Sequence, residues 1–292
     1  MSASIAGANP VHVEYDASVA WLTLAEPETG NALNTAMIGA LRQALLEANS
    51  EANCRVVVLQ AQGPDFCKGL DLEWAAMDNR QLGQGFLHDV ADCLATISQL
   101  DKPVIAWVEG AVSGGGVGLV AACDLVLASA KATFILPEVI IGMIPALISP
   151  FLLRRMSLAR LRYLTLSSRS LQADEAKEFG LVDEVESKAT GDVAIGKNTS
   201  SENTSSEDAS SLHSILSTQI QRLFRSSPAA VAESKRYFLK LEQANFSEQT
   251  VLAADQIEAW LAQPAVSEAL QEFAEGFTPE WWAKYRPKDR SF

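Results

Sequence analysis

Two glycine-bearing turns and one glutamate in apolar surroundings are the parts of this sequence whose residue types and spacing could do chemistry. The first turn is Gly63-Pro64-Asp65-Phe66-Cys67-Lys68-Gly69-Leu70-Asp71-Leu72, and the second runs from Val108-Glu109-Gly110 through Ser113-Gly114-Gly115-Gly116-Val117-Gly118. Glycine lets a backbone approach a ligand closely and adopt positive φ. A turn that opens a helix also presents unpaired N–H groups to negative charge. Two such turns side by side can aim two N–H groups at one developing oxyanion, each donor worth roughly a hundredfold to a thousandfold in rate. Glu138 lies between Phe134-Ile135-Leu136-Pro137 and Val139-Ile140-Ile141. A carboxylate in such a setting has a raised pKa and can both take and return a proton near neutrality.

Other readings of the second turn fail on spacing. A dinucleotide fingerprint needs G-x-G-x-x-G, and after Gly114 and Gly116 the third position is Leu119. A nucleophile elbow needs G-x-S-x-G, but Ala111 stands two residues before Ser113. A phosphate-binding loop would need Gly-Lys-Ser or Gly-Lys-Thr, which is absent. Taken alone, the glycine cluster is equally compatible with tight strand-to-helix packing. Lys68 and Arg80 are cations that could meet an anionic substrate group or stay solvated, while Asp71 and Asp124 read as turn or cap residues.

These turns must be held by strands and helices. Val11–Tyr15 and Val19–Leu24 read as a hairpin, followed by a helix capped by Asn34 or Thr35 and running through about Glu47. Apolar strands are predicted at Val56–Gln60, Pro103–Val108, Leu125–Ala128 and Thr133–Leu136, with a helix over Gly85–Gln99. Helical patterning returns at Phe151–Leu166, Ala173–Glu178, Ile215–Arg225, Pro228–Gln243 and beyond Ser247. Strands alternating with helices indicate an α/β class with crossover connections. Residues 187–211 are rich in Ser, Thr, Asn and Gly and read as a disordered insert. It separates a core at residues 1–186 from a helical C-terminal region at 212–292.

Composition narrows the function further. The 292 residues carry a formal net charge of −13, which argues against nucleic acid, since phosphate binding needs clustered Lys and Arg. The longest apolar stretch, Phe134–Leu153, is interrupted by Pro137, Glu138, Gly142, Pro145 and Pro150, so no membrane span is expected. The first ten residues lack the basic start and apolar run of a secretory signal, and a cytoplasmic location is the expectation. Cys54, Cys67, Cys93 and Cys123 show no C-x-x-C spacing and read as free, buried thiols. The three histidines are scattered, and no metal is expected.

The two turns together, at this spacing, resemble the crotonase (enoyl-CoA hydratase/isomerase) superfamily. Phe66-x-x-Gly69-x-Asp71-Leu72 is similar to its first signature, and Pro103-Val104-Ile105-Ala106-Trp107-Val108-Glu109-Gly110 through Cys123-Asp124 to its second. Phe134–Glu138, Gly142–Pro145, Leu166–Val182, Asn31-Ala32-Leu33 and the tail Phe273–Lys284 also resemble family blocks. The resemblance implies a spiral of ββα units with a helical C-terminal region supporting a trimer or a pair of trimers. It implies oxyanion donors at the backbone N–H groups of Leu70 and Gly115, with Lys68, Gly69, Gly116 and Gly118 as candidates for substrate contact. The family uses up to two glutamates as acid and base. The second corresponds to Glu138, whereas the first falls on Gly118. One carboxylate therefore handles protons, and the space beside the substrate's β-carbon at Gly118 is expected to be open.

A finer resemblance lies in Ile144-Pro145-Ala146-Leu147-Ile148-Ser149-Pro150-Phe151-Leu152-Leu153-Arg154-Arg155, with Gly115–Gly118 and Tyr163-Leu164-Thr165-Leu166. These segments are similar to the dehydratases of polyketide β-branching cassettes. That likeness implies loss of water from a 3-hydroxy-3-methylglutaryl group carried by an acyl carrier protein or CoA. It implies no cofactor beyond the carrier's phosphopantetheine arm. Two alternatives stay open: a Δ3,Δ2-enoyl-CoA isomerase, which also needs only one carboxylate, and a non-catalytic crotonase-like scaffold.

Overall fold

In the computed structural model, residues 9–77, 85–187 and 212–287 are described. The chain opens with β1 (Val11–Asp16) and β2 (Val19–Leu24), an antiparallel hairpin whose turn places Ala17 and Ser18 at positive φ. Helix α1 (Thr35–Ser50) follows, its first turn capped by Asn34 Oδ1, which accepts a hydrogen bond from the Met37 N–H at 3.0 Å.

The next three strand pairs build a spiral. Strands β3 (Val56–Ala61), β5 (Val104–Val108) and β7 (Leu125–Ala128) join a main sheet of order β1-β2-β3-β5-β7-β10, with β10 at Glu184–Val185. After each of those three strands the chain crosses to a smaller sheet, laying down β4 (Asp65–Cys67), β6 (Ala111–Ser113) and β8 (Thr133–Ile135) in parallel. Strand β9 (Leu171–Gln172) closes that sheet antiparallel to β8. Helices α2 (Leu72–Met77), α3 (Leu87–Gln99) and α4 (Gly115–Ala122) return the chain from the small sheet towards the main one. The crossovers explain why the main strands read as unbroken apolar runs: β5 is buried at every residue because both of its faces are covered.

Two apolar clusters flank the main sheet. The larger takes Leu22, Leu59 and Ala106 from the strands and packs them against Met37, Leu41, Leu94, Ile97 and Leu119 of the helices. The smaller takes Trp21, Val58, Ile105 and Trp107 from the opposite face and packs them under α8 (Leu212–Arg225). That helix contributes Leu212, Leu216, Ile220 and Phe224, a stripe with one residue every four. The sequence assigned α8 to a separate C-terminal region; its apolar face is seated on the core sheet.

Between β8 and β10 lie α5 (Ser149–Leu153), α6 (Leu158–Ser167) and α7 (Ala173–Phe179). The periodic run Phe151–Leu166 is therefore two helices, because Ser157 caps a fresh start by accepting from the Arg160 N–H. Beyond α8 come α9 (Pro228–Gln243), α10 (Phe246–Leu261) and α11 (Pro264–Ala274). Lys235 of α9 reaches the core, its ammonium 2.5 Å from Asp124 Oδ2 and 3.0 Å from the Lys102 carbonyl. The tail returns to the base of α8: the Ala283 N–H donates to Phe224 O, and Arg55 donates to both Ser226 O and Trp281 O. Among the described residues no helix is long and apolar enough to cross a membrane. The Ser-rich insert assigned to 187–211 and the cation Arg80 lie outside the described residues apart from residue 187.

Candidate active site

Asn31 and Leu33 build the first donor. Asn31 is fully buried at φ 53°, and its side chain donates to Gln62 O and Asp65 O while accepting from the Glu26 N–H. This clamp fixes the start of the first turn. Leu33 then pairs with Leu70 in a parallel bridge, its N–H donating to Gly69 O and its carbonyl accepting from the Asp71 N–H. In that pattern the residue opposite Leu33 directs its own N–H away from the partner. The Leu70 N–H therefore points out of the bridge. Asp71 ends the turn by accepting from the Trp74 N–H and so caps α2.

The second donor comes from α4. Gly114 stands before the helix at φ 50° and ψ −117°, a conformation open to glycine, and its N–H donates to Ile135 O of β8. Gly115 is then the first helical residue, whose N–H has no carbonyl of its own helix to meet. The turns touch through their glycines. A Cβ on Gly69 would lie 2.6 Å from Ser113 O and 3.0 Å from Gly115 N, and one on Gly116 would overlap Cys67 O. On Gly115, a Cβ would stand 3.9 Å from Leu70 N. Gly69 and Gly116 thus serve close backbone packing, which brings the Leu70 and Gly115 donors side by side.

Glu138 faces the same place. It opens a 3-10 turn (Glu138–Ile141) after Pro137, and its Oε1 lies 3.2 Å from where a Cβ on Gly114 would be. Its Oε2 is buried and meets no hydrogen-bond partner among the described residues. Desolvation pushes the carboxyl above its ordinary range, with a hydrogen bond from its own backbone N–H pulling the other way. A carboxylate short of partners against the turn that carries the Gly115 N–H is placed to exchange a proton with a group bound at that turn.

Other sequence candidates sit elsewhere or do something else. The Lys68 ammonium pairs with Asp65 at 2.9 Å on the surface, and its stem covers Gly30. Gly118 is buried, and the expected opening beside it is not there. A Cβ on Gly118 would overlap Ile148 Cγ2, come within 3.0 Å of Ile148 Cβ and stand 3.6 Å from Leu94 Cδ1. The vacated position is filled from a neighbouring segment, which no pattern local to Gly118 signals. All four cysteines are free and buried, and burial pushes Cys67, Cys93 and Cys123 up to about 12, so they stay unreactive thiols. No group of three or more metal-binding side chains occurs among the described residues. Asn31 and Leu33 are the positioning residues that site reasoning from sequence passed over; the signal was a buried asparagine next to an apolar pair.

The family model described as Enoyl-CoA hydratase/isomerase matches residues 14–194. The chain belongs to this family. An enoyl-CoA hydratase/isomerase relative, the "Bacillaene synthase dehydratase PksH" of Bacillus subtilis strain 168, is 28% identical over 249 residues, covering 84% of this chain and 87% of that protein. A "Probable enoyl-CoA hydratase" of Rhodobacter capsulatus is 34% identical over 173 residues, 59% of this chain and 66% of the relative. Among solved structures, "Pseudomonas aeruginosa AtuE" superposes with a TM-score of 0.81 at 29% identity, over 94% of this chain and 100% of the other. The enoyl-CoA hydratase/isomerase fold accounts for the spiral of β3–β8 and for the C-terminal helices.

Proposed function

We propose that this chain is a dehydratase that removes water from a 3-hydroxy-3-methylglutaryl thioester on an acyl carrier protein or CoA. The observation that carries the reading is the single carboxyl of Glu138, half-buried with its Oε2 short of partners, in a site where position 118 offers no second one. The likeness to the Bacillus dehydratase along most of both chains supports the same reading.

In this mechanism the thioester carbonyl accepts hydrogen bonds from the N–H groups of Leu70 and Gly115. Ionised Glu138 takes a proton from C2, and the negative charge that develops on the carbonyl oxygen is held by the two donors. The C3–oxygen bond then breaks as the enolate collapses to a C2–C3 double bond. The proton on Glu138 passes to the departing hydroxyl, so water leaves and the carboxylate is restored. No cofactor takes part beyond the carrier's phosphopantetheine arm. The proposal includes a cytoplasmic setting, supported by four free thiols, and a homotrimer or a pair of trimers, supported by the apolar side chains that α10 and α11 leave exposed.

Incubation with hydroxymethylglutaryl thioester on a carrier protein and on CoA tests this, with loss of one water followed by mass. Turnover on either carrier is expected. Turnover of a Δ3-enoyl-CoA instead would assign the isomerase, and inertness towards all three would leave a scaffold.

A further inference from the structure

Ile148 is where the spiral departs from a simple vacancy. It precedes α5, and its carbonyl accepts from the N–H groups of Phe151 and Leu152 at 3.1 and 3.0 Å, so the helix start holds its backbone in place. Its side chain is 3% exposed and fills the volume into which a Cβ on Gly118 would project. Side chains on a helix lean towards its N-terminus, so a residue at 118 covers the turn at Gly114 and Gly115. That turn carries the Gly115 N–H and stands against the Glu138 carboxyl. Ile148, with Leu94 behind it, therefore occupies the place from which a second polar group would address the bound acyl chain.

We propose that Ile148 is a specificity-determining residue, an apolar plug that excludes a second carboxylate from the C3 side of the acyl group. The consequence for the dehydratase reading, on which this inference rests, is that one carboxylate serves water loss and its reverse alike. Addition of water needs a water molecule held at C3 and relieved of a proton as its oxygen bonds to that carbon. A wall of methyl groups offers such a water no second partner, so Glu138 alone takes that proton. Elimination is the same path reversed, with Glu138 returning the proton to the departing hydroxyl.

The test separates packing from chemistry. In the packing arm, Gly118→Ala alone is expected to lower the melting temperature by on the order of 5–10 °C, because the new methyl collides with Ile148. Gly118→Ala with Ile148→Ala should recover at least half of that loss relative to Ile148→Ala alone. In the chemical arm, Gly118→Glu with Ile148→Ala should hydrate crotonyl-CoA with a kcat/KM at least about tenfold above the parent and above Ile148→Ala. There the new carboxylate takes the proton from water, and Glu138 delivers one to C2. A Gly118→Ala variant as stable as the parent, or a pair that recovers nothing, overturns the plug. A paired alanine variant that folds while the glutamate version does not also overturns it, since Ile148 would not be what excludes a carboxylate. A folded glutamate pair without hydration places position 118 away from C3 and overturns the specificity role. None of these outcomes depends on the hydroxymethylglutaryl substrate. A parent inert towards that substrate sinks the dehydratase reading alone.

Discussion

Helix α8 and the helices α10 and α11 are all amphipathic, yet they end in opposite situations. Leu212, Leu216, Ile220 and Phe224 of α8 are buried against Trp21, Ile105 and Trp107 of the main sheet. Helices α10 and α11 bury no residue, and Phe246, Val251, Ile257, Leu270 and Phe273 stand exposed. An apolar stripe thus says that a helix needs a partner and leaves open whether the partner lies in the same chain. The spiral with α8 is complete in one chain and fixes the chemistry. The terminal helices present a surface that no described residue of this chain covers.

The largest expected effect tests the completeness of the first region. Glu138→Gln should cut kcat/KM for the thioester by about 10²–10⁴ while leaving the melting temperature within a few degrees, because only the proton carrier is lost. Activity near the parent's in a folded variant would remove Glu138 from the mechanism. Next, one residue type can be read in both regions. Phe224 is 2% exposed and Phe273 is 72% exposed. Phe224→Ala is expected to cost about 3–5 kcal/mol in urea unfolding of the chain. Phe273→Ala should stay within about 0.5 kcal/mol of the parent in the same assay if that face has no partner in the protein as assembled. Phe273→Glu sharpens the contrast: sedimentation should shift towards smaller species if other copies cover this face, and an unchanged profile would leave it solvated.

The smallest effect is one of pH. The Glu138 carboxyl is raised in the folded state, so the folded chain binds this proton more tightly than the unfolded one. The stabilisation is fully present below the ordinary carboxylate range and is lost as pH rises through the raised value. Glu138→Gln should therefore gain slightly on the parent in chemical stability as pH climbs through that window. For turnover the sign reverses, since the ionised form is the base: kcat/KM should rise with pH through the same interval. Parallel stability curves for parent and variant would show that the carboxyl is not desolvated.

The sequence disclosed what depends on neighbours in the chain. Apolar runs such as Val104–Val108 and the cap at Asn34 mark their own elements, and the structure moves their edges by few residues. The short strands Asp65–Cys67 and Ala111–Ser113 read as parts of turns, because three residues carry no period and their pairing is with each other across the sheet. The site followed the same rule. Glycines and Glu138 announced themselves by local chemistry. The clamp of Asn31 on Gln62 and Asp65 did not, nor did the filling of position 118 by a side chain thirty residues away.

The return of the tail to α8 has a consequence for how the C-terminal helices can vary. Arg55 holds Ser226 and Trp281 with one guanidinium, and Ala283 hydrogen-bonds Phe224. Beyond the point where Lys235 of α9 is held by Asp124, helices α10 and α11 are thereby a detour tied to the spiral at both ends. The entropy of closing such a detour grows only with the logarithm of its length. Residues can be inserted, removed or exchanged along it at little cost to the knot, so the detour can be refitted to new neighbours while the spiral and its glutamate stay where they are.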